Sequence, residues 1–481
     1  MSYQIKYQPG PADPAREKCI AELSARFGPR CSRSESERLL VGKDFWPITG
    51  RWLMNGTVPS LPDAVVWPES TEEVSEIIQI ANRWAVPVIP FGEGSGVLGS
   101  VVAVRGGIVI DMKRMNRILA LNEKDLLLTV ETGINGAVLE RKLNERGYTL
   151  RHIPQSVRAS TVGGWIACRA AGQFSTKYGK IEDMMVGVEA VLPDGSIYRN
   201  VIAPRTAAGP RMDQLFLGAE GTLGVVTQTV LRIWPVPEAQ ALRSFAFENI
   251  ENALEAVRLL LQKHINPAVV RIYDAAETDH HFKQIEAAKD RVMLILIMEG
   301  IPEMVTVENG VAERVCTELG GLDCGEEPIQ HWFHSRFNVS ISSHLIQHGA
   351  VVDTIEVAAP WSRIAEVYHA NIEALKAIPG TLMAGGHFSH VYTDGACLYM
   401  SVVGMPEEDQ EGYYRKIWDT AINSTSAHGG TIAHHHGIGL NRARFMIDEH
   451  GPAGMQMLSS IKKALDPHNL MNPGKLGLEV E

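Results

Sequence analysis

The sequence is poor in cysteine, and its cysteines are widely spaced. Six occur among 481 residues, and none forms a Cys-x-x-Cys pair. Zinc ribbons need such pairs, and small secreted domains carry cysteines at a higher density, so the pattern argues against both classes. We therefore predict free thiols in a reducing compartment. The six are Cys19, Cys31, Cys168, Cys316, Cys324 and Cys397.

Basic charge and long apolar segments are also scarce. Lys and Arg number 45 against 56 Asp and Glu, a net charge of −11, whereas nucleic-acid-binding proteins need clustered cations. The longest apolar run, residues 292–298, has the length of a strand, and a membrane span needs about 18 residues. The first 20 residues lack the apolar core of a signal peptide. We predict a cytoplasmic protein with no membrane span and no nucleic-acid partner.

The chain does have the composition and periodicity of a soluble enzyme with several domains. Hydrophobic residues make up 45% and charged residues 21%, values typical of globular proteins. Ser70 and Glu73 have the spacing of a capping box in front of apolar residues at helical spacing. Asn135 is a second candidate N-cap. The pattern predicts strands at residues 64–67, 86–90, 107–111 and 126–131, and helices at 70–81 and 135–147.

A domain boundary is predicted after Trp234, because Pro235 and Pro237 interrupt both helix and sheet. Beyond it, the order of elements is typical of an α+β domain. The predicted helices lie at 250–261, 361–378 and about 455–465, and the predicted strands at 269–272, 292–298, 351–358 and 396–403. We divide the chain into an N-terminal arm at 1–57, a first domain at 58–237, a second at 238–425, and a C-terminal segment at 426–481 that returns to the first domain.

A glycine-rich segment follows the strand predicted at 86–90. Residues 94–99 read Gly-Ser-Gly-Val-Leu-Gly and match the G-x-G-x-x-G pattern of Rossmann loops. A Rossmann loop must open a helix, yet residues 100–104 are rich in valine and Gly106-Gly107 interrupt the chain again. The segment still suits phosphate, because successive glycines let backbone N–H groups converge on an anion. A tight turn without a ligand is the alternative.

Four segments occur in a fixed order along the chain. They are Pro-Phe-Gly-Glu-Gly-Ser-Gly from Pro90, Pro-Gln-Ser from Pro154 with Ser-Thr-Val-Gly-Gly-Trp from Ser160, Gly-Ala-Glu-Gly-Thr-Leu-Gly from Gly218, and the tail around Asn472. Together they resemble the vanillyl-alcohol-oxidase (PCMH-type) family of FAD-linked oxidases. The resemblance implies an α+β fold, with a PCMH-type FAD-binding domain of two subdomains at 58–237 and an α+β cap (substrate) domain with an antiparallel sheet at 238–425.

The resemblance also implies FAD as the cofactor. A non-covalent link is expected, because no His or Cys occupies the glycine-rich loop, where covalently linked members often carry the attachment residue. The implied cofactor-binding residues are Pro90, Phe91, Gly92, Glu93, Gly94, Ser95, Gly96, Val97, Pro154, Gln155, Ser156, Ser160, Thr161, Gly163, Gly164, Trp165, Tyr178, Gly179, Glu220, Gly221, Gly224, Val225, Val226 and Asn472.

Two branches of this family differ in their C-terminal motifs. D-lactate and 2-hydroxyglutarate dehydrogenases carry a metal-binding Gly-His-x-Gly-Asp-Gly-Asn-x-His segment and a later Glu-His pair. Here the first stretch reads Gly-His-Phe-Ser-His from Gly386, and His435 stands in place of the glutamate. These two sequence segments more closely resemble those of the alkylglycerone-phosphate (alkyl-dihydroxyacetonephosphate) synthases. We therefore predict that no metal is bound.

Tyr399 and three consecutive histidines are the candidate catalytic residues by the same resemblance. A phenol, with an ordinary pKa near 10, needs neighbouring cations or imidazoles to ionise at neutral pH. His434, His435 and His436 could supply them. The alternatives are a core aromatic for Tyr399 and a solvated loop for the histidines.

Arg271, His387 and His390 are the candidate substrate-binding residues. A guanidinium pairs bidentately with carboxylate or phosphate, so Arg271 could clamp an anionic substrate. A surface salt bridge is the alternative for Arg271. We expect the partners to be a small anionic substrate, an electron acceptor that the sequence does not identify, and a second copy of the chain in a homodimer.

Two functions remain open at this point. The first is an FAD-dependent dehydrogenase or oxidase of a small hydroxylated or ether-type acid, in which Tyr399 or His436 takes a proton while hydride moves to the flavin. The second is a synthase-like transferase that uses FAD without net redox. A flavin-binding module without catalysis is disfavoured, because such a module needs no acid–base cluster.

Overall fold

The structure is a computed structural model that describes residues 6–7, 13–338, 343–407 and 409–478. Residues 1–5 and 8–12 of the predicted N-terminal arm, and the end of the C-terminal segment at 479–481, lie outside the described residues. Within the described part of the chain, no helix is both long and apolar enough to cross a membrane.

The strands and helices follow in chain order. The strands are β1 Lys6–Tyr7, β2 Cys31–Ser32, β3 Thr57–Val58, β4 Ala64–Val66, β5 Val88–Phe91, β6 Ile108–Asp111, β7 Ile118–Asn122, β8 Leu127–Glu131, β9 Tyr148–Thr149, β10 Met185–Val191, β11 Ile197–Arg199, β12 Val225–Arg232, β13 Trp234–Pro235, β14 Ala239–Phe247, β15 Val269–Tyr273, β16 Val292–Gly300, β17 Leu322–Gly325, β18 Val351–Pro360, β19 Thr381–Val391 and β20 Gly395–Gly404. The helices are α1 Pro14–Phe27, α2 Glu35–Val41, α3 Pro47–Met54, α4 Thr71–Arg83, α5 Gly136–Asn144, α6 Val162–Cys168, α7 Ser175–Tyr178, α8 Ile181–Met184, α9 Ile250–Gln262, α10 Ala275–His281, α11 Pro302–Glu318, α12 Glu327–Ser335, α13 Ser343–Gln347, α14 Ile364–Lys376, α15 Gln410–Ala427 and α16 Met446–Leu465.

Local capping interactions set the starts of two predicted helices. The Ser70 hydroxyl accepts the backbone N–H of Glu73 at 3.3 Å, which satisfies one of the unpaired donors at the start of α4. Asn135 Oδ1 accepts the N–H groups of Ala137 and Val138 at the start of α5. Both predicted N-caps are confirmed.

The helix predicted at 361–378 begins three residues later than expected. Strand β18 continues to Pro360, and the next residues form a turn. Trp361 there donates its backbone N–H to the carbonyl of Asp394 and its indole N–H to the carbonyl of Tyr392. Because Trp361 is committed to this turn, α14 starts only at Ile364.

The chain divides into two compact units, each with its own sheets. The first comprises Met1–Ala170, Lys180–Trp234 and His435–Glu481, and the second comprises Ala171–Gly179 and Pro235–His434. The segment 171–179 therefore belongs to the second unit, although the predicted boundary at 237 would leave it in the first. Side-chain contacts give the reason, because Ser175 bonds His390 and Lys177 donates to the carbonyl of Glu299.

The first unit contains two larger sheets, as the predicted two-subdomain fold requires, besides the two-stranded pair β1-β3. One has the order β2-β4-β6-β5, with β4, β6 and β5 parallel. The other is antiparallel and has the order β11-β10-β12-β8-β7. Apolar residues of α4 share one core with residues of both sheets, including Ile108 and Val191.

The second unit is built on one antiparallel sheet of order β17-β14-β16-β15-β19-β20-β18. Helix α14 packs on β19 and β20, and α15 packs on β18. Leu398, Met400 and Val402 are fully buried, whereas the alternating Tyr399 and Ser401 are only partly buried. Because side chains alternate between the faces of a strand, this unit has an apolar helix-covered face and a more polar opposite face.

Candidate functional site

In the first unit, the glycine-rich loop after β5 closely approaches the second predicted loop. A side chain at Gly92 would collide with Thr161 Oγ1, and a Cβ at Gly221 would lie 2.8 Å from the ring of Pro90. Gly94 has a φ of +66°, a conformation that favours glycine. No helix begins in the described stretch 92–107, which agrees with the rejection of a Rossmann loop. Three of the four predicted motifs therefore meet at one place.

The fourth motif meets the same place through Asn472, whose side-chain amide donates to the carbonyls of Ser100 at 2.9 Å and Glu220 at 2.6 Å. The buried Glu220 carboxylate accepts the N–H groups of Ile438 at 2.7 Å and Gly439 at 2.9 Å. The observed contacts of Glu220 and Asn472 thus join loops of the first unit to one another.

Asp44 also holds the glycine-rich loop, and the sequence analysis did not identify it. Its Oδ2 accepts the backbone N–H groups of Gly99 at 2.8 Å and Ser100 at 3.1 Å. Burial raises the pKa of Asp44 to about 7, although these N–H groups favour the carboxylate. Asp44 ends a short Gly-Lys-Asp segment that lies far from any motif in the sequence. No sequence pattern there indicated a contact with the glycine-rich loop.

The second loop leads into α6, whose N-cap is Thr161; its hydroxyl accepts the N–H of Gly164 at 3.3 Å. The Trp165 indole donates to Ser160 Oγ at 2.9 Å. His152 lies against this indole with ring centres 4.5 Å apart, and burial lowers its pKa to about 3. Neither ring nitrogen of His152 has a hydrogen-bond partner among the described residues.

These features fit a diphosphate-containing cofactor. The loop is glycine-rich where a Cβ would obstruct a close approach of backbone N–H groups to an anion. The orphaned nitrogens of His152 and the unpartnered Oδ1 of Asn472 are buried polar atoms that a bound polar group could satisfy. Two predicted cofactor residues, Tyr178 and Gly179, belong instead to the second unit.

In the second unit, four polar residues stand side by side across adjacent strands. Tyr273 lies opposite His387, His387 opposite Tyr399, and Tyr399 opposite Glu356. Residues paired directly across an antiparallel sheet point to the same face. We call these four residues the polar row.

His390 reaches the polar row through a bulge in β19. The register shifts between Ser389 and Val391, and His390 has a φ of 52°. This extra residue bends the strand, and His390 Nε2 lies 3.4 Å from Tyr399 Oη. The Ser175 hydroxyl bonds the other ring nitrogen of His390 at 2.7 Å. The proximity of His390 to Tyr399 depends on a bulge that no sequence pattern indicated.

The three consecutive histidines divide between the units, because the boundary falls between His434 and His435. In the second unit, His434 stacks on His390 with ring centres 5.5 Å apart. Its Nε2 bonds the Tyr392 hydroxyl at 2.9 Å, and its backbone N–H donates to Glu356 Oε2 at 2.6 Å. In the first unit, the rings of His435 and His436 lie edge to face.

Glu356, Cys397 and His434 each place one potential ligand atom within 4.8 Å of the others. The set resembles a zinc ligand set in chemistry. Glu356 Oε2, however, already accepts the backbone N–H of His434, and His434 Nε2 already bonds the Tyr392 hydroxyl. The absence of a metal therefore stays a prediction.

The Tyr399 phenol is held in its neutral form. Burial raises its pKa well above the ordinary value, the charges of Cys397 and Glu356 add to the effect, and Arg271 opposes it. We had expected imidazoles to lower this pKa. The pKa moves in the opposite direction because burial disfavours the charged phenolate, and the charges of Cys397 and Glu356 add to that effect.

Arg271 lies in the row of residues next to the polar row, opposite Ser389. Its Nε donates to Tyr273 Oη at 2.7 Å, and within the described chain it forms no ion pair. Its guanidinium lies 5.9 Å from the centre of the Trp332 ring, and that of Arg336 lies 5.1 Å from the same ring. The surface salt bridge considered for Arg271 is thus not observed.

Two family comparisons cover most of the chain. Residues 62–200 match the family described as FAD binding domain. Residues 236–476 match the family described as FAD linked oxidases, C-terminal domain.

Known relatives extend over nearly the full length. The chain is 33% identical over 438 residues to an uncharacterized FAD-linked oxidoreductase, YgcU, of Escherichia coli, covering 87% of this chain and 90% of the relative. It is 30% identical over 461 residues to an alkyldihydroxyacetonephosphate synthase of Caenorhabditis elegans, and this match covers 88% of this chain and 77% of the relative.

Solved structures agree on the fold. An alkyldihydroxyacetonephosphate synthase superposes with a TM-score of 0.79 at 26% identity, covering 98% of this chain and 86% of that one. A p-cresol methylhydroxylase superposes with a TM-score of 0.78 at 18% identity, and the match covers 98% of this chain and 98% of that one. These matches confirm the predicted PCMH-type α+β fold.

Proposed function

Because the chain belongs to the family of FAD-linked oxidases and uses FAD as its cofactor, we propose that it oxidises a small anionic substrate of the hydroxylated or ether type by hydride transfer to the flavin. FAD supplies the hydride acceptor when it is bound. The glycine-rich loop is the part of the first unit that would hold its diphosphate.

The observation that carries this proposal is the position of Arg271 beside the polar row. Its guanidinium has no carboxylate partner among the described residues, and it lies on the same sheet face as His387 and Tyr399. A cation of this kind suits a carboxylate or phosphate. The guanidinium of Arg336 lies over the same Trp332 ring and adds a second positive charge near Arg271. Two positive charges further favour the binding of an anionic substrate.

The side chains of the second unit divide the remaining work. Oxidation of an alcohol removes a hydride from carbon and a proton from the hydroxyl group, and a protein side chain must accept that proton. A neutral Tyr399 donates a hydrogen bond to the substrate oxygen. An imidazole of the second unit accepts the proton, and Arg271 holds the anionic end of the substrate.

Anaerobic flavin reduction tests this function. D-lactate, D-2-hydroxyglutarate and glycerol 3-phosphate are added separately to the FAD-loaded protein without an acceptor. We expect one of them, or a close homologue, to bleach the oxidised flavin band, and dichlorophenolindophenol to restore it. No lasting bleaching across a broader set of hydroxy and ether acids would contradict the proposal.

A transferase that uses FAD without net redox is the second candidate. The His434-His435-His436 sequence and the 30% identity to an alkyldihydroxyacetonephosphate synthase favour it. Such an enzyme would exchange the acyl group of an acylated dihydroxyacetone phosphate for a fatty alcohol. Formation of the ether product without lasting flavin bleaching would support this candidate over the first.

A further inference from the structure

Glu277 is a buried carboxylate that lies under the polar row and has no role in the function described so far. Only 2% of the surface of Glu277 is exposed to solvent. Oε2 lies 3.3 Å from His387 Nδ1 and 3.3 Å from His281 Nε2. A buried charge without partners would be strongly unfavourable, so these two imidazoles are central to its environment.

The backbone around Glu277 is clamped to the strand that carries His387. Asp274, the N-cap of α10, accepts the N–H of Glu277 at 2.8 Å through Oδ1. Its Oδ2 accepts the N–H of Gly386 at 2.6 Å and the Tyr368 hydroxyl at 2.8 Å. One side chain thus fixes both the helix that carries Glu277 and the residue next to His387. The spacing of the two side chains is therefore built into the fold.

The charges around this pair define its protonation. Burial acts to raise the pKa of Glu277, but His387 and His281 outweigh it and hold that pKa well below its usual value. Burial lowers the pKa of His387, and the carboxylate of Glu277 opposes this effect. We infer an ionised Glu277 beside a His387 that burial keeps neutral, with Oε2 and Nδ1 3.3 Å apart.

A neutral imidazole carries its proton on one nitrogen only, and a neighbouring acceptor selects which one. Nδ1 is the ring nitrogen that approaches Glu277, at 3.3 Å from Oε2, and neither atom has a hydrogen-bond partner among the described residues. An ionised carboxylate can only accept a hydrogen bond. The proton must therefore reside on Nδ1, which leaves Nε2 as an acceptor.

We propose that Glu277 is a positioning residue that holds His387 as the Nδ1–H tautomer, so that His387 Nε2 accepts the substrate proton beside Tyr399. The proposal rests on the oxidoreductase function above and deepens it by naming the proton acceptor. The hydroxyl proton moves to Nε2, while the hydride leaves the substrate carbon for the flavin. The same carboxylate–imidazole logic operates in hydrolytic triads, where the acid fixes the tautomer of the base.

The tautomer can be measured without any substrate. The FAD-loaded protein is labelled with ¹⁵N and ¹³C in histidine, and the His387→Asn variant identifies the resonances of His387. We expect a protonated Nδ1 and an unprotonated Nε2 in the wild type. Glu277→Gln should change this pattern, because its amide N–H can donate to Nδ1. A wild-type Nε2–H tautomer or a doubly protonated ring would overturn the proposal, as would an unchanged pattern in Glu277→Gln.

The kinetic consequence is a loss of reduction rate rather than of binding. With a substrate that bleaches the wild-type flavin, Glu277→Gln should slow bleaching by about 10²-fold or more, with the concentration for half-maximal rate nearly unchanged. Glu277→Asp, which retains the carboxylate, should recover part of the rate. An equal loss of bleaching rate in Glu277→Gln and Glu277→Asp would contradict the proposal. So would a change only in the substrate concentration that gives half-maximal rate.

Glu308→Gln is the matched control, because Glu308 is a buried carboxylate of the same unit that lies 3.6 Å from Lys177 and away from His387. It should leave the bleaching rate and the His387 resonances unchanged. If no substrate bleaches the wild-type flavin, the proposed function fails, and the tautomer measurement alone decides the role of Glu277. The wild-type spectrum also decides it if Glu277→Gln does not fold.

Discussion

The imidazole of His387 lies flat against the phenol of Tyr399, with ring centres 4.7 Å apart and planes inclined by 11°. The two residues oppose each other in the register of β19 and β20. Burial keeps the phenol neutral, so the phenol is a hydrogen-bond donor rather than a base. Proton acceptance then falls to an imidazole, and the stacked geometry places one next to the donor.

Substitution of Gly94 should empty the flavin site. Its φ of +66° is unfavourable for any residue with a Cβ, and the Cβ would lie 2.9 Å from the Phe91 ring. We expect the wild-type protein to be yellow and to release intact FAD on acid precipitation, and Gly94→Val to lose most of its bound flavin. Gly310→Ala, in α11 with no atom near its Cβ position, is the control and should retain full flavin content. Flavin that stays with the precipitated protein would instead indicate a covalent link.

Removal of the Tyr399 hydroxyl should reduce turnover and leave flavin binding intact. We expect Tyr399→Phe to lose about 10²-fold in the rate of flavin reduction, because a hydrogen-bond donor at the reacting oxygen is gone. The measurement is a stopped-flow rate per bound FAD. Tyr413→Phe, which removes a buried hydroxyl bonded to Thr381 at 2.7 Å, should have no such effect. Unchanged activity per flavin with reduced thermal stability would mean that Tyr399 only packs.

Arg271 should affect substrate affinity more than rate. Arg271→Ala removes the cation without an ion-pair partner, and we expect the Michaelis constant for an anionic substrate to rise about 10-fold or more. Bound FAD should remain at wild-type levels. Arg243→Ala, which disrupts ion pairs with Glu313 and Asp323, serves as the control. A rise of similar size in that control would show that the loss of any arginine has this effect.

Asp44 should make stability depend on pH. Its pKa of about 7 in the folded protein exceeds the ordinary value of about 3.9. Below about pH 4 the carboxyl is protonated in both states and its full contribution is present; as the pH rises towards 7 this contribution is lost. The melting temperature of the wild type minus that of Asp44→Asn should therefore fall between pH 4 and 7 and then level off.

The control for this titration is Asp194, whose pKa is lowered by hydrogen bonds from Ser196. The melting temperature of the wild type minus that of Asp194→Asn should not fall over the same interval, since a lowered pKa acts in the opposite direction. Parallel pH curves for the wild type and Asp44→Asn would contradict the prediction.

Metal chelation should have no effect on catalysis if the predicted absence of a metal is correct. We expect dialysis against EDTA to leave the rate of flavin reduction unchanged, and elemental analysis to find no stoichiometric zinc. A loss of rate that added zinc restores would contradict this prediction. It would also point to Glu356, Cys397 and His434, whose potential ligand atoms lie close together.

Features that depend on neighbouring residues were predictable from the sequence alone. The N-caps at Ser70 and Asn135 act within three residues of their own positions, so a local pattern identifies them. Glycine-rich loops are likewise local, because their chemistry is carried by the backbone. The order of the four motifs resembles one family, and that resemblance indicated FAD.

The tertiary structure alone decided which distant side chains touch and what charge they carry. Glu277 and His387 are more than one hundred residues apart, and a helix cap on Asp274 brings them together. His390 reaches Tyr399 only because β19 bulges. Burial and a neighbouring Glu356 raise the pKa of Tyr399, whereas the sequence suggested that imidazoles would lower it. The direction of a pKa shift depends on desolvation and on which charges approach in three dimensions, and neither is encoded locally.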